Sequence, residues 1–329
     1  MRTYPSSRPH VVLSSGDPSG IGSEIILKAI VDIPGFLKEA DLTIVGNFMV
    51  YAKIARILGI EFLRERIAGN FINFVDLDNV DMKNFAFGKS KPSHGKAAVE
   101  YVMYAAAIVE SEKNASLVTA PINKESVHDA GFSVSGHTEL LKTITKSGSV
   151  TMMFTGGPLK LSLVTRHVPL EDITRYLTKD KIKKTAHDTY FALRKLFKIK
   201  NPIIAVAGLN PHAGEGGIFG KIEERIILPA VASLRKKIKN IKGPDPADTL
   251  FYKAYQGRID AVVCMYHDQG LIPLKMVAFE KGVNLTIGLP FIRTSPDHGT
   301  AFDIAGKGRA NPSSMIEAIK LAITLTKKQ

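Results

Sequence analysis

With 329 residues, 45% of them apolar, the chain is long enough for two domains of ordinary globular composition. No apolar stretch approaches the ~20 residues of a membrane span, and the polar run from Met1 to His10 has no apolar core behind it, so neither a membrane helix nor a secretory leader is expected. The single cysteine excludes an internal disulfide and fits a cytoplasmic protein; the net charge of +13 sits largely in lysine runs such as RKKIKN and KDKIKK without interleaved aromatics, so an anionic small substrate is expected and nucleic acid is not.

In chain order, Val11 to Ser15 reads as a strand, then the turn GDPSGIG and an amphipathic helix from about Ser23 to Val31. The turn admits two readings, a tight strand-to-helix connection or a set of amides presented to a phosphate. Asp41 to Val45 and Phe71 to Val75 are expected as strands flanking a helix over Val50 to Leu58. Lys96 to Glu112 is an alanine-rich helix and Ala115 to Thr119 another strand. Ala120-Pro121 ends that strand at a long polar loop with Lys124, His137 and Thr138, a binding-loop candidate. Thr138 precedes ELLKTI, where it is either an ordinary N-cap or the holder of a phosphate or carboxylate at a helix start.

Leu161 to Thr165 is expected as a strand ending before His167, and Ile203 to Ala207 as one ending in GLNPHAGEGG with His212. Helices are expected over Leu170 to Lys179, Ile182 to Leu196 and Glu223 to Ile238, a Pro-broken linker over Gly243 to Ala247, and a short helix over Phe251 to Gln256. Ala261 to Tyr266 reads as a buried parallel strand with His267 and Asp268 at its end, and Val283 to Leu289 as a second such strand. Ser313 to Lys327 is the closing amphipathic helix. Cys264, inside AVVCMY, is expected to be a buried inert thiol.

His167, His212 and His267 each follow an apolar strand, so a parallel sheet would bring all three imidazoles to one edge. Three imidazoles with an open position suit a catalytic divalent metal, although their wide separation is no local ligand motif; strand-capping and solvated histidines are the plain alternative. His10, His94, His128 and His187 are expected at the surface. Arg293 offers a planar fork and Lys275 a compact charge for an anionic ligand. Neither G-x-S-x-G nor a Walker A motif is present, which argues against serine hydrolysis and P-loop chemistry.

Taken together, GDPSGIGSEI, TAPINKESVHDAGFSVSGHTELL, LVTRHVPL, GLNPHAGEGG, GPDPADTLF, MYHDQGLIPLK and GVNLTIGLPFIRTSPDHGTAFDIAGKG resemble the 4-hydroxythreonine-4-phosphate dehydrogenase (PdxA) family, in order from about Val11 onward. The resemblance implies an α/β protein like the isocitrate and isopropylmalate dehydrogenases. Its two α/β/α domains, residues 1–135 plus about 270–329 and about 136–269, would flank an active-site cleft in a homodimer. It further implies metal ligands at His167, His212 and His267, completed between two subunits. The metal would be Zn, with Mg or Co as alternatives, and the acceptor NAD or NADP. Substrate-binding positions match His137, Thr138, Lys275, Asn284 and Arg293; Asp248, Asp268 and Lys275 are candidates for the proton acceptor. Arg166 stands before His167 where the family more commonly has a small polar residue. The implied reaction oxidises 4-phosphooxy-L-threonine to a 3-keto acid that decarboxylates, in vitamin B6 synthesis. The rival readings are the sister oxidation of 4-phospho-D-threonate or 4-phospho-D-erythronate, and a non-enzymatic binding protein.

Overall fold

The computed structural model describes residues 8–134 and 136–328. The start of the polar N-terminal run lies outside them, as does residue 135, where one expected domain limit falls. The chain divides into two compact units, one taking the chain up to Val150 together with Leu289–Lys327, the other Thr151–Gly288. Both limits fall later than the expected 135 and 269. The first moves because helix His137–Ile144 sinks Leu140 and Leu141 into the first unit's core. The second moves because strand Val283–Ile287 pairs with Thr151–Gly156 and keeps the chain in the second unit until Gly288.

In the first unit the strand order is Ile292–Pro296, Ala115–Thr119, His10–Ser14, Asp41–Gly46 and Asn73–Asp76, paired in parallel throughout. The three strands on one side of this order are buried at every residue, as parallel strands covered on both faces are. Val12, Val45 and Leu117 share one apolar cluster with Ala98's neighbours Ala97, Val99 and Val102 of helix Pro92–Ser111. Each fully buried aliphatic side chain there contributes about 1.5–3 kcal/mol. Proline at the first turn suits that helix, whose start lies nearer the N-terminus than expected. Gly95 is required by close approach, since a Cβ would sit 2.0 Å from the Ser126 carbonyl oxygen.

The second unit orders its strands Ile241–Asp245, Ile204–Ala207, Ala261–Cys264, Leu159–Leu163, Thr151–Gly156 and Val283–Ile287. The first four are parallel neighbours. Thr151–Gly156 and Leu159–Leu163 form a hairpin through Gly157, and Val283–Ile287 pairs antiparallel with the former, so the expected parallel pairing of that strand is corrected. The expected linker at Gly243 is instead part of a strand; its proline is tolerated because the strand ends the strand order. The expected helix over Leu170 to Lys179 breaks into a 3₁₀ turn Leu170–Asp172 and a short helix Ile173–Tyr176. Glu223–Ile227 is a π turn that runs into helix Leu228–Arg235.

Two of the expected surface histidines are buried. His10 bonds Glu112 Oε2 through Nδ1 (2.6 Å) and Thr43 Oγ1 through Nε2 (2.8 Å), because the strand it begins is interior to the sheet. His94 lies against Ser19 Oγ (3.1 Å) under the Asp17 turn. His128 and His187 are exposed. Cys264 is buried and burial pushes its thiol pKa up, in keeping with an inert side chain. No helix among the described residues is long and apolar enough to cross a membrane.

Candidate active site

Strands Ile204–Ala207, Ala261–Cys264 and Leu159–Leu163 are adjacent and parallel, so their carboxyl ends share one edge of the second unit's sheet. The loops leaving that edge carry His212, His267 and His167. His267 opens helix His267–Ala278, and its ring faces that of His167 at 5.6 Å between centroids with 38° between planes. Arg166, His167, Val168, Tyr266, His267 and Asp268 line a cavity of about 370 Å³ there. Asp268 Oδ1 lies 2.7 Å from His267 Nδ1, so the carboxylate engages that ring nitrogen and Nε2 is the one left for a metal. Paired imidazoles, one braced by a carboxylate, are donor chemistry suited to a borderline divalent cation such as Zn or Co.

His212 stands apart from that pair. It opens a left-handed stretch in which φ is positive from His212 through Gly216, and its ring packs 5.7 Å from that of Phe219. His212, Ala213 and Glu215 are not glycine, so each holds a conformation that costs roughly 1–2 kcal/mol. The buried Glu223 carboxylate braces this loop, accepting from the amides of Leu209 (2.8 Å) and Asn210 (2.7 Å) and from Asn210 Nδ2 (2.9 Å). Among the described residues no group of three His, Cys, Asp or Glu side chains is close enough to hold a metal.

In the first unit, Arg293 is almost wholly buried on strand Ile292–Pro296. Its Nε and Nη2 donate to Thr119 Oγ1 at 3.2 and 2.5 Å. Burial lowers its pKa to about 9, opposed by the Glu139 carboxylate, so the guanidinium stays charged at neutrality. His137 is the first residue of its helix; burial, then the Arg293 charge, push its pKa well below the usual value, so it is a neutral imidazole. Thr138 is buried in the same turn, but the N-cap position belongs to Gly136, so the N-cap reading of Thr138 falls away. Sequence reading missed Thr119 and Glu139 as the groups that hold and face Arg293. Their strand-end and GHTELL positions were visible, but their pairing depends on which strands become neighbours.

Lys275 is half-buried on helix His267–Ala278 with Nζ 5.5 Å from the Phe279 ring centroid, so its stem is only partly drawn inward. Asn284 lies half-buried on strand Val283–Ile287, and Asp248 is exposed in the first turn of helix Ala247–Tyr255. At the expected site residues, the buried atoms His137 Nε2 and Asn284 Oδ1 find no hydrogen-bond partner among the described residues. Leaving such atoms unpaired costs about 1–3 kcal/mol each, which a polar ligand would recover.

The GDPSGIG turn forms a tight strand-to-helix connection. The amides of Asp17, Gly20 and Ile21 donate to Pro121, Asp17 and Thr300 carbonyls, and Asp17 Oδ1 accepts from Ser19 N (2.9 Å) and Ser19 Oγ (2.7 Å). A Cβ on Gly16 would meet the Pro121 carbonyl oxygen at 2.2 Å. These three donors are spent within the protein.

Residues 38–322 match the family model of the pyridoxal phosphate biosynthetic protein PdxA. A 4-hydroxythreonine-4-phosphate dehydrogenase of Geobacter metallireducens is 40% identical over 331 residues, spanning 98% of this chain and 97% of the relative. A D-threonate 4-phosphate dehydrogenase of Salmonella typhimurium is 40% identical over 324 residues, spanning 96% and 98%. The crystal structure of 4-hydroxythreonine-4-phosphate dehydrogenase from Klebsiella pneumoniae superposes with a TM-score of 0.88 at 37% identity, covering 98% of this chain and all of that one.

Proposed function

The chain belongs to the PdxA family of pyridoxal phosphate biosynthetic proteins, and from that premise we propose that it is an NAD-dependent dehydrogenase of 4-phosphooxy-L-threonine. The product 3-keto acid loses carbon dioxide to leave 3-amino-2-oxopropyl phosphate. The observation that carries this reading is the likeness over nearly the whole length to a dehydrogenase of that substrate, with each expected site residue present.

A divalent cation, Zn by its imidazole donors, supplies Lewis acidity toward the substrate hydroxyl, and NAD supplies the hydride acceptor. His167 and His267 are the residues that would hold the cation, with Asp268 orienting His267. His212 joins them in this proposal. Its separation from the pair within one chain is accounted for by a site completed between two subunits. Arg293 grips a phosphate or carboxylate oxygen through its planar fork. Neutral His137, Thr138, Lys275 and the Asn284 amide fix the remaining polar groups, so that the reacting carbon keeps one orientation. Asp248, Asp268 and Lys275 are the candidates for accepting the hydroxyl proton, Asp268 being the one in contact with His267.

We place the interface of the proposed homodimer on helix His267–Ala278 and the residue after it, where the apolar side chains of Ile272 (59%), Met276 (83%), Val277 (41%) and Phe279 (74%) stand exposed.

One observation favours a second reading. The Salmonella D-threonate 4-phosphate dehydrogenase is as similar to this chain as the Geobacter relative is. NADH formation with 4-phosphooxy-L-threonine, 4-phospho-D-threonate and 4-phospho-D-erythronate decides between them. The main reading expects kcat/KM for the amino acid to exceed the others by at least about 100-fold, because a site built to pair an ammonium rejects its hydroxyl isostere. The opposite ranking assigns the chain to the sister reaction, and no NADH from any of the three would end both readings.

A further inference from the structure

Below the histidine-bearing edge, Gln269 is buried in the first turn of helix His267–Ala278. Its Oε1 accepts from the Met265 amide at 2.7 Å, and its Nε2 donates to the Gly208 carbonyl at 2.6 Å. Met265 closes the other side, its carbonyl accepting from Thr165 Oγ1 (2.7 Å) and from the Thr165 amide (3.2 Å). Gly208 in turn begins the segment whose next two amides are clamped by Glu223. One buried line of hydrogen bonds therefore joins the backbone just before His167, just before His267 and just before the His212 loop. A Cβ on Gly270 would lie 2.8 Å from Leu161 Cδ1 and 3.0 Å from Cys264 Sγ, so the helix start has no room to drift against its strands.

The chemistry of position 269 is demanding. It must present an acceptor to an amide and a donor to a carbonyl from one planar group. Glutamate lacks the donor, asparagine lacks the reach, and methionine of similar length leaves both backbone groups unpaired.

We infer that Gln269 is a positioning residue for the oxidation, setting the spacing of the three loops that carry His167, His212 and His267. The inference rests on the metal reading of those histidines. Partners one layer behind a metal site alter its affinity about 10–100-fold when removed.

The test uses the full chain with Co²⁺ as the probe, read by visible absorption during titration, alongside far-UV circular dichroism and steady-state kinetics. Gln269→Glu keeps the bond from Met265 and sets two acceptors against each other at Gly208. Gln269→Met removes both bonds without burying a charge and serves alone should the glutamate variant not fold. The expected result is parental secondary structure and Co²⁺ affinity lowered about 10–100-fold with a changed absorption band. The same variants should show a fall in kcat while KM for the phosphorylated acid stays within about twofold. Thr189→Val, which breaks the buried bond from Thr189 Oγ1 to Ser162 Oγ in the same unit, should keep the parental Co²⁺ affinity. Parental affinity and spectrum in the folded Gln269 variants, or an equal loss in Thr189→Val, would overturn the positioning role. A parent that takes up no Co²⁺, or His267→Ala binding it as the parent does, would instead remove the metal reading and this inference with it.

Discussion

Asp268 and His267 are chain neighbours whose side chains meet, carboxylate oxygen to ring nitrogen, at 2.7 Å, a contact that fixes which face of the imidazole is left to act. Asp268→Asn should therefore weaken divalent-metal binding about 10–100-fold. Because Asp268 is largely exposed, the unfolding free energy should change by less than about 0.5 kcal/mol. Metal content after dialysis, set against a urea melt, checks both halves.

His212→Ala should lose bound cation and most turnover while remaining folded. Its side chain is exposed and its nearest ring contact is Phe219, so little packing is lost. Full activity in this variant would count against the assignment of His212.

Arg293 bears on both activity and stability. Arg293→Met should lower kcat/KM at least about 100-fold by removing a charge-assisted contact to substrate. It should also lower the melting temperature, since the buried Thr119 Oγ1 loses the bonds it accepts, and removing one partner of a buried charged contact destabilises. Arg293→Lys keeps the charge but loses the fork, and should fall between parent and Met in kcat/KM. Calorimetry beside initial rates on each variant separates the two effects.

Acid should destabilise the fold through His94 and His137. Burial is the first cause of the lowered pKa of both, opposed at His94 by Asp17 and reinforced at His137 by Arg293. A histidine whose folded value lies below its unfolded value binds fewer protons when folded, so stability rises with pH across that interval. The penalty is absent above the unfolded value near ~6.5 and grows below it, by at most about 1.4 kcal/mol per pH unit for each group. Urea midpoints should fall from about pH 7.5 to about pH 5.5, and less steeply in His94→Gln; a parental slope in that variant would remove His94 from this account.

Met276→Asp together with Ile272→Asp should shift the proposed dimer toward monomer, as sedimentation velocity would read. Both side chains are exposed in the single chain, so the folded protomer should tolerate the change. A dimer that persists unchanged would move the interface to another face.

Local patterning revealed most of the parallel framework. Runs such as VVL, ASLVT and AVVC are buried on both faces and need no long-range information to be read as strands. Strand Thr151–Gly156 was missed because its burial follows no regular alternation, so its residues carry no period-two pattern. Strand Ile241–Asp245 was missed because Pro244 and Gly243 look like breakers unless the strand is known to lie at the end of the order. The burial of His10 and His94 was equally hidden, since Thr43, Glu112 and Ser19 come from distant segments. At the candidate site the residue types were legible from their motifs. The left-handed backbone at His212 was not, because a run of glycines permits that conformation without requiring it.

The second unit is continuous in sequence, whereas the first is interrupted and resumes only at Leu289. During translation the inserted unit can therefore complete itself while its host still lacks strand Ile292–Pro296, and domains emerging in order tend to fold as units. Arg293 arrives with that late strand. A ribosome stalled short of it would carry the whole histidine edge but not the guanidinium, a nascent chain with the proposed cation ligands before the proposed anion ligand.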